Sequence, residues 1–132
     1  MRRFEVRTTV RQQFVEITDL VREAVAASGI AHGICIVYVP HTTAAVTVNE
    51  NADPDVVHDM TLWLNRVIPQ DQPGFRHGEG NSDAHLKASL IGSSVTLVID
   101  QGSLVLGRWQ GVYFVECDGP RRREVIVQAV GS

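Results

Sequence analysis

The order of the strand-like and helix-like segments constrains the fold of this chain more than any other feature. Strand-like segments arrive in consecutive groups: two open the chain, two occupy residues 33–39 and 44–50, and four fill residues 94–130. Strict alternation of strands with helices would favour a doubly wound parallel sheet, whereas grouped strands favour an α+β fold. We therefore predict an α+β domain of about eight strands with two or three helices.

The strand pattern also suggests pairings. Residues 2–10 and 13–17 alternate in polarity, which predicts an opening antiparallel pair. The run GICIVYV, residues 33–39, is almost wholly β-branched and apolar, so it predicts a central strand buried on both faces. AAVTVNE, residues 44–50, is expected beside it. Four strands follow in SVTLVID, SLVL, VYFVEC and REVIVQAV, with a turn at residues 100–102.

Capping signals define the helices. LVREAVAAS is expected to start at a Thr18 or Asp19 cap and to stop at Gly29. Asp53 followed by Pro54 predicts the start of a second helix that runs to about residue 67. Its expected apolar stripe consists of Val56, Met60, Trp63, Leu64 and Val67. AHLKASLIG, residues 84–92, predicts a short third helix closed by Gly92.

Length and composition indicate an ordinary globular protein with a single domain over residues 1–132. A formal net charge of -3 argues against a general nucleic-acid-binding surface. The sequence contains no apolar run long enough to span a membrane, and its charged start is unlike a signal peptide. We expect a cytoplasmic protein in which Cys35 and Cys117 are reduced, buried thiols.

The polar segment FRHGEGNSDAHLK, residues 75–87, is the first candidate site. His77, Glu79 and His85, with Asn81 and Asp83 nearby, offer the nitrogen and oxygen ligands that zinc, manganese or iron accept. The spacing matches no familiar short zinc signature. The alternative is a solvated glycine-rich loop in which His85 is a residue of a helix N-terminus.

A second concentration of polar residues, NENADPDVVHD, covers residues 49–59. His58 lies opposite the apolar stripe of its helix and therefore faces either water or a cleft. Asp53 is explained by helix capping, although a second carboxylate oxygen could still hold a ligand. Asp55 and Asp59 are more simply a solvated helix face.

Isolated polar residues complete the candidates. His41 stands at a strand end, and Glu116 lies in an apolar run where a carboxylate needs a partner, for which we expect a histidine or a metal from the polar loop. The run PRRR, which contains Arg121, suits a phosphate or diphosphate, or is a solvated turn. Trp109 and Gln110 offer an apolar wall and an amide, although core packing explains the tryptophan equally well.

Several separated motifs, taken in order, resemble one family. HTTAAVTVNENADP before a helix, HGEGNSDAHLKASLIGSSVTL, GSLVLGRWQG and ECDGPRRR together are similar to the YjbQ family of secondary thiamine-phosphate synthases. The resemblance covers residues 4–131. It implies antiparallel sheets packed as a β-sandwich and a homotrimer in the cytoplasm. It also implies an ability to join a pyrimidine diphosphate to a thiazole phosphate with release of diphosphate, as a secondary activity.

The resemblance also implies which positions form the site. The family's polar motif positions fall on His41, Thr42, Asn49, Glu50, Asp53, His58, His77, Glu79, His85, Lys87, Trp109, Gln110 and Glu116. The chain departs from the family pattern at Arg108, where threonine is expected, so Arg108 would add a positive charge to the site.

From these residues we form a mechanistic hypothesis. A departing diphosphate is stabilised by a divalent ion and by basic side chains. His58, His77 and His85 would hold a metal or form an acid-base cluster, with Lys87 and the arginines on phosphate oxygens. The full expected catalytic set is His41, Glu50, His58, His77, Glu79, His85 and Glu116. The expected substrate-binding set is Thr42, Asn49, Asn81, Lys87, Arg108, Trp109, Gln110 and Arg121.

Three alternatives stay open at this point. The metal could be zinc or another transition metal, or magnesium that arrives with the substrate; no organic cofactor is expected. The same cluster could serve a metal-dependent hydrolase of a phosphorylated small molecule. The domain could also be a binding module for a small molecule without turnover.

Overall fold

The computed structural model describes residues 1–132 and contains eight strands and three helices. The strands are β1 Arg2–Arg7, β2 Gln13–Glu16, β3 Gly33–Tyr38, β4 Ala44–Glu50, β5 Ser94–Asp100, β6 Ser103–Leu104, β7 Gln110–Glu116 and β8 Arg122–Gly131. The helices are α1 Thr18–Ser28, α2 Pro54–Val67 and α3 Ser82–Ile91. The predicted α+β class and the numbers of strands and helices are confirmed.

The strands form two antiparallel sheets. The larger sheet has the order β1-β8-β3-β5-β6, and the smaller has the order β2-β7-β4. Inward side chains of both sheets join α1 in a core of 16 buried residues, for example Val37 of β3, Phe114 of β7 and Val21 of α1. On the other face of the small sheet, Val115 of β7 packs in a second cluster with Ala88 of α3.

Two predicted strand pairings are wrong. β1 pairs with β8 in the large sheet, and β2 pairs with β7 in the small sheet, so the opening strands are not partners. β4 likewise pairs with β7 and not with β3. Alternating polarity identifies a strand and its buried face but carries no information about which strand it will pair with. In both cases the chain crosses from one sheet to the other after the first strand.

The expectation that β3 is buried on both faces is also wrong for the single chain. Ile34, Ile36 and Tyr38 point away from the core and are 40%, 36% and 44% exposed. Val98 and Val130 lie beside Ile34 on the neighbouring strands and are also exposed. We call these five residues the outer apolar face. The strand that is buried on both faces is β7, which lies between the two apolar clusters.

Helix α1 starts differently from the prediction. Its N-cap is Ile17, with no capping hydrogen bond from a side chain. The Thr18 hydroxyl donates to Glu16 Oε2 at 2.8 Å and accepts the Val112 N–H at 2.9 Å, so it ties the helix to β7 instead of capping it. The predicted end is confirmed, because Gly29 takes the left-handed conformation at φ 70°.

Helix α2 starts as predicted: Asp53 caps it by accepting the Asp55 N–H at 2.9 Å, and Pro54 is its first residue. The predicted apolar stripe of α2 is only partly covered, since no residue of the helix is fully buried and Trp63 is 61% exposed. The helix therefore covers the small sheet only loosely. The predicted end of α3 at Gly92 is confirmed.

Two further sequence predictions concern the interior and the membrane. Cys35 and Cys117 are free and buried, as expected. Burial raises the pKa of the Cys117 thiol to about 12 and raises that of Cys35 as well. None of the three helices has the length and apolarity needed to cross a membrane.

Candidate functional site

A polar cleft lies where the chain passes from β3 to β4. It has a volume of about 660 Å³ and receives residues from three segments: the crossing between the sheets, the loop before α3 with its first turn, and the start of β8. Its lining residues are Tyr38, Pro40, His41, Thr42, Thr43, His77, Glu79, Asn81, His85, Arg121 and Arg123. We call this the main cleft. Three of the five histidines of the chain meet in it.

The backbone fixes the protonation of His41. Its Nε2 accepts the N–H of Glu124 at 2.9 Å, so in the neutral ring the proton is on Nδ1. Burial lowers the pKa of His41, and the nearby positive charge of Arg123 lowers it further. His41 is therefore a neutral imidazole at pH 7 whose Nδ1–H is a hydrogen-bond donor.

His77 and His85 form a pair in the main cleft. Their ring centroids are 5.5 Å apart, with the planes nearly perpendicular. Asn81 stands between them in the sequence and sets the start of α3, since its backbone carbonyl accepts the N–H groups of Ala84 and His85. The Nε2 of His77 lies 3.8 Å from Glu79 Oε2. The glycine-rich loop and the helix start thus bring four polar side chains into one wall.

A buried carboxylate and arginine form the floor beneath this wall. Glu116 accepts from Arg123 through both Nε and Nη2, from the Thr8 hydroxyl at 2.8 Å, and from the Cys117 N–H at 3.1 Å. Burial raises the pKa of Glu116, but these hydrogen bonds outweigh burial and hold it below its usual value. The partner of Glu116 is therefore Arg123, and the expectation of a histidine or metal partner is wrong.

Arg123 connects this floor to the cleft. Its Nη2 also donates to the carbonyl and the hydroxyl of Thr43, at 3.2 and 2.8 Å. The burial of Arg123 was predictable, because alternate residues of a strand point to the same face. Arg123, Val125 and Val127 are alternate residues of β8, and the two valines face the core. An arginine on that side has to be buried and paired, and this signal distinguishes Arg123 from Arg121, the arginine that the sequence pattern was taken to place on the substrate.

Arg121 is the more accessible arginine of the main cleft. It binds Asp118 through Nη2 at 3.0 Å and also lines a smaller pocket of about 280 Å³ with Arg7, Thr8, Pro120 and Arg122. The turn that presents it needs glycine at position 119, because a Cβ atom there would meet the carbonyl oxygen of Val10 at 2.6 Å.

Lys87 does not reach the cleft. Its side chain is 1% exposed, and its Nζ donates to Asp83 Oδ2 at 2.8 Å and to Asn65 Oδ1 at 3.0 Å. Arg11 binds the same carboxylate through two nitrogens, at 2.9 and 3.0 Å. The predicted role of Lys87 on phosphate oxygens is thus corrected: it anchors α3 to α2 and supports the wall from behind.

A second pocket adjoins the main cleft. It has a volume of about 370 Å³ and shares His41, Thr42 and His85 with the cleft. Its other lining residues are small and uncharged: Ala44, Ala88, Ser89, Gly92 and Ser93. We call it the side pocket. The two histidines therefore stand at the junction of a charged compartment and an uncharged one.

The remaining predicted site residues lie elsewhere. His58 is exposed on α2, where its Nδ1 lies 2.9 Å from Asp59 Oδ1, so the structure does not bring it to His77 and His85. No three His, Cys, Asp or Glu side chains in the chain form a group that could hold a metal ion.

A further group of predicted site residues lies at the far end of the small sheet: Asn49, Glu50, Asp53, Arg108, Trp109 and Gln110. Glu50 stands opposite Gln110 across β4 and β7. At roughly 3.3 Å per residue it is about 20 Å from the Ala44 end of its strand, next to the cleft. The members of this set have local roles: Asn49 accepts the Glu50 N–H, Glu50 and Asp53 shape the start of α2, Gln110 accepts the Gly107 N–H, and Arg108 lies over the Trp109 ring.

Comparison with known proteins gives a consistent picture. Residues 2–132 match the family model described as UPF0047 protein YjbQ-like. The UPF0047 protein MJ1081 of Methanocaldococcus jannaschii is 48% identical over 98% of this chain and 94% of its own length. The UPF0047 protein YugU of Bacillus subtilis is 42% identical over 99% of both.

Solved structures agree in fold. A Clostridium acetobutylicum protein, described as an uncharacterised conserved member of the YjbQ/UPF0047 family, has a TM-score of 0.96 at 48% identity and covers 98% of this chain and 100% of its own. A YbjQ-like protein of unknown function from Sulfolobus solfataricus has a TM-score of 0.95 at 33% identity, over 99% and 96% of the two chains. The descriptions of these four proteins name no reaction and no ligand.

Proposed function

This chain belongs to the YjbQ-like UPF0047 family, and from that premise we propose that it is an enzyme that transfers a group between two small molecules, at least one of them phosphorylated. The observation that carries the proposal is the junction of the main cleft and the side pocket at His41 and His85. Two compartments of different character that meet at shared histidines suit two different reactants.

The main cleft suits the phosphorylated reactant. Arg123 is already bound to Glu116 and fixes the floor, whereas Arg121 is half exposed and can turn a guanidinium nitrogen towards a phosphate oxygen. The Nδ1–H of neutral His41 adds a hydrogen-bond donor at the junction. Donors placed where negative charge develops on a leaving group lower the barrier to its departure.

The specific reaction we propose for testing is the formation of thiamine phosphate. The thiazole nitrogen attacks the methylene carbon of hydroxymethylpyrimidine diphosphate, a C–N bond forms, and the C–O bond to diphosphate breaks. The leaving diphosphate takes both electrons of the broken bond, next to Arg121 and His41. The uncharged side pocket would accept one heterocycle while the main cleft holds the diphosphate.

We also propose that the working form is a homotrimer in the cytoplasm. The outer apolar face supports assembly, because a continuous exposed patch of Ile34, Ile36, Tyr38, Val98 and Val130 is unusual on a monomer. A second copy would restore the burial that the sequence of β3 predicts. Tyr38 belongs both to this face and to the main cleft, so assembly would border the site.

The reaction is tested by incubating the purified protein with hydroxymethylpyrimidine diphosphate and thiazole phosphate and measuring thiamine phosphate by chromatography. We expect product with wild type and with His32→Ala, an exposed histidine outside the cleft, and at least a hundredfold less with His85→Ala. Diphosphate released without the thiazole would identify a hydrolase. A His85→Ala variant that folds and retains full activity would contradict the proposal.

A further inference from the structure

The side chain of Asn81 has an unsatisfied oxygen in the wall of the main cleft. Asn81 is 5% exposed, and its Oδ1 is the one buried side-chain nitrogen or oxygen atom of the chain that lacks a hydrogen-bond partner. Buried polar atoms in native proteins are nearly always satisfied, so an exception of this kind requires a partner from outside the chain.

The neighbours of Asn81 fix which atom is free. Its Nδ2 donates to Asp118 Oδ2 at 2.8 Å and lies 3.5 Å from Glu79 Oε2. Turning the amide over would point its oxygen at two carboxylates and would lose both interactions. The oxygen is therefore held away from the acids, and it can bind either a hydrogen-bond donor or a cation.

The two histidines of the same wall indicate a cation. Neither the His77 nor the His85 ring hydrogen-bonds to another group of the protein, and their centroids are 5.5 Å apart. A zinc ion lies about 2.0–2.1 Å from a ligating imidazole nitrogen, which puts it about 3.2–3.3 Å from the ring centroid. Two centroids 5.5 Å apart then subtend an angle of about 113–119° at the ion, near the tetrahedral value of roughly 109°.

The surrounding charges suit this assignment. The nearby guanidinium groups of Arg121 and Arg123 are neutralised by Asp118 and Glu116, so they oppose a cation only weakly. Glu79 Oε2 faces the Nε2 of His77 at 3.8 Å. The two atoms are not hydrogen-bonded at this distance, but the negative charge of Glu79 attracts a cation at the histidine pair, and a small approach to the far nitrogen of His77 would give the carboxylate support that is usual in such sites.

We propose that His77, His85 and the Oδ1 of Asn81 bind one divalent transition-metal ion, of which zinc is the best match to two imidazoles and an oxygen. This set replaces the earlier grouping with His58. Three protein ligands leave one position open for water or for an oxygen of a substrate. The metal site lies in the cleft of the proposed reaction but does not require that reaction, because it is defined by binding alone.

The test measures metal, not turnover. Protein stripped with a chelator is titrated with zinc by calorimetry, and its metal content after dialysis is measured by mass spectrometry. We expect about one zinc per chain for wild type and for His58→Ala and His32→Ala, the two histidines outside the cleft. His85→Ala and His77→Ala should lose stoichiometric binding, and Asn81→Ala should weaken it at least tenfold.

Two further measurements keep the test decisive. Asn81→Asp retains an oxygen at the same place and should bind zinc, which separates loss of a ligand from damage to the start of α3. Cobalt added to the stripped protein should give the intense visible absorption of a four-coordinate ion. Absence of zinc binding by folded wild type, or loss of binding in His58→Ala, would overturn the site; unchanged affinity in Asn81→Ala would overturn the role of Asn81.

Discussion

The buried pair Glu116–Arg123 supports the sharpest stability prediction. Both side chains are almost completely buried, and the pair is reinforced by the Thr8 hydroxyl and two backbone N–H groups. Glu116→Gln keeps the shape of the side chain but leaves the Arg123 charge buried without a counterion. Removing one partner of a buried ion pair costs about 3–5 kcal/mol of unfolding free energy, because the remaining charge is not solvated.

That magnitude is large enough to measure directly. With a urea dependence of about 2 kcal/mol per molar, the loss corresponds to a fall of roughly 1.5–2.5 M in the midpoint of urea unfolding. Wild type and variant are compared at one protein concentration, because the proposed assembly would add to the apparent stability. The variant should also lose substrate binding, since Arg123 positions Thr43 in the main cleft.

The chain offers a matched control in Glu5→Gln. Glu5 binds Arg122, the neighbour of Arg123 in sequence, with Nε and Oε1 2.6 Å apart, but both side chains are largely exposed. Exposed ion pairs contribute at most about 1 kcal/mol, so this variant should unfold close to wild type. Equal midpoints for Glu116→Gln and Glu5→Gln would refute the claim that burial makes the first pair important.

Three other outcomes are expected. Stability should decline as pH falls below about 6.5, because the pKa of His41 is lowered in the folded protein and the unfolded chain therefore binds a proton at this histidine first. Stability should decline again below about pH 4, because the pKa of Asp83 is also lowered and the unfolded chain takes up its proton first. Acid titrations followed by circular dichroism would show no such steps if these groups are unperturbed. Ile36→Arg on the outer apolar face should convert the proposed homotrimer to monomers in analytical ultracentrifugation, and a variant that stays trimeric would exclude this face. Cys117 should resist iodoacetamide in the native protein at pH 8, with modification only after unfolding; rapid native labelling would contradict its burial.

Much of the fold was predictable from local pattern. Strand and helix positions, the Asp53 cap and the Gly29 stop all depend on residues near each other in the sequence. Strand partners depend on contacts between distant segments, and that is why β1 with β2 and β3 with β4 were paired wrongly.

The error about burial has a different cause. The outward residues of β3 are as apolar as its inward ones, so the sequence is typical of a strand that is covered on both faces. The sequence does not show whether the outer face is covered by the same chain or by another copy.

The sequence grouped some of the candidate site residues as the structure does. It selected the segment with His77, Glu79, Asn81 and His85 for its concentration of possible ligand side chains, and the structure places these four side chains in one cleft. The sequence could not show that His58 lies apart from these residues, because the positions of motifs along a chain do not give the distances between them in the folded protein. The roles of Lys87 and Glu116 depended on partners that only the folded chain reveals.

The measurement that tests the central claim most directly is a titration of isotope-labelled protein with hydroxymethylpyrimidine diphosphate, followed through backbone amide chemical shifts. If the main cleft and the side pocket form the site, shifts will concentrate in residues 40–43, 77–93 and 121–123. Shifts centred on residues 49–50 and 108–110 at the far end of the small sheet, or no shifts at a saturating concentration, would contradict the account.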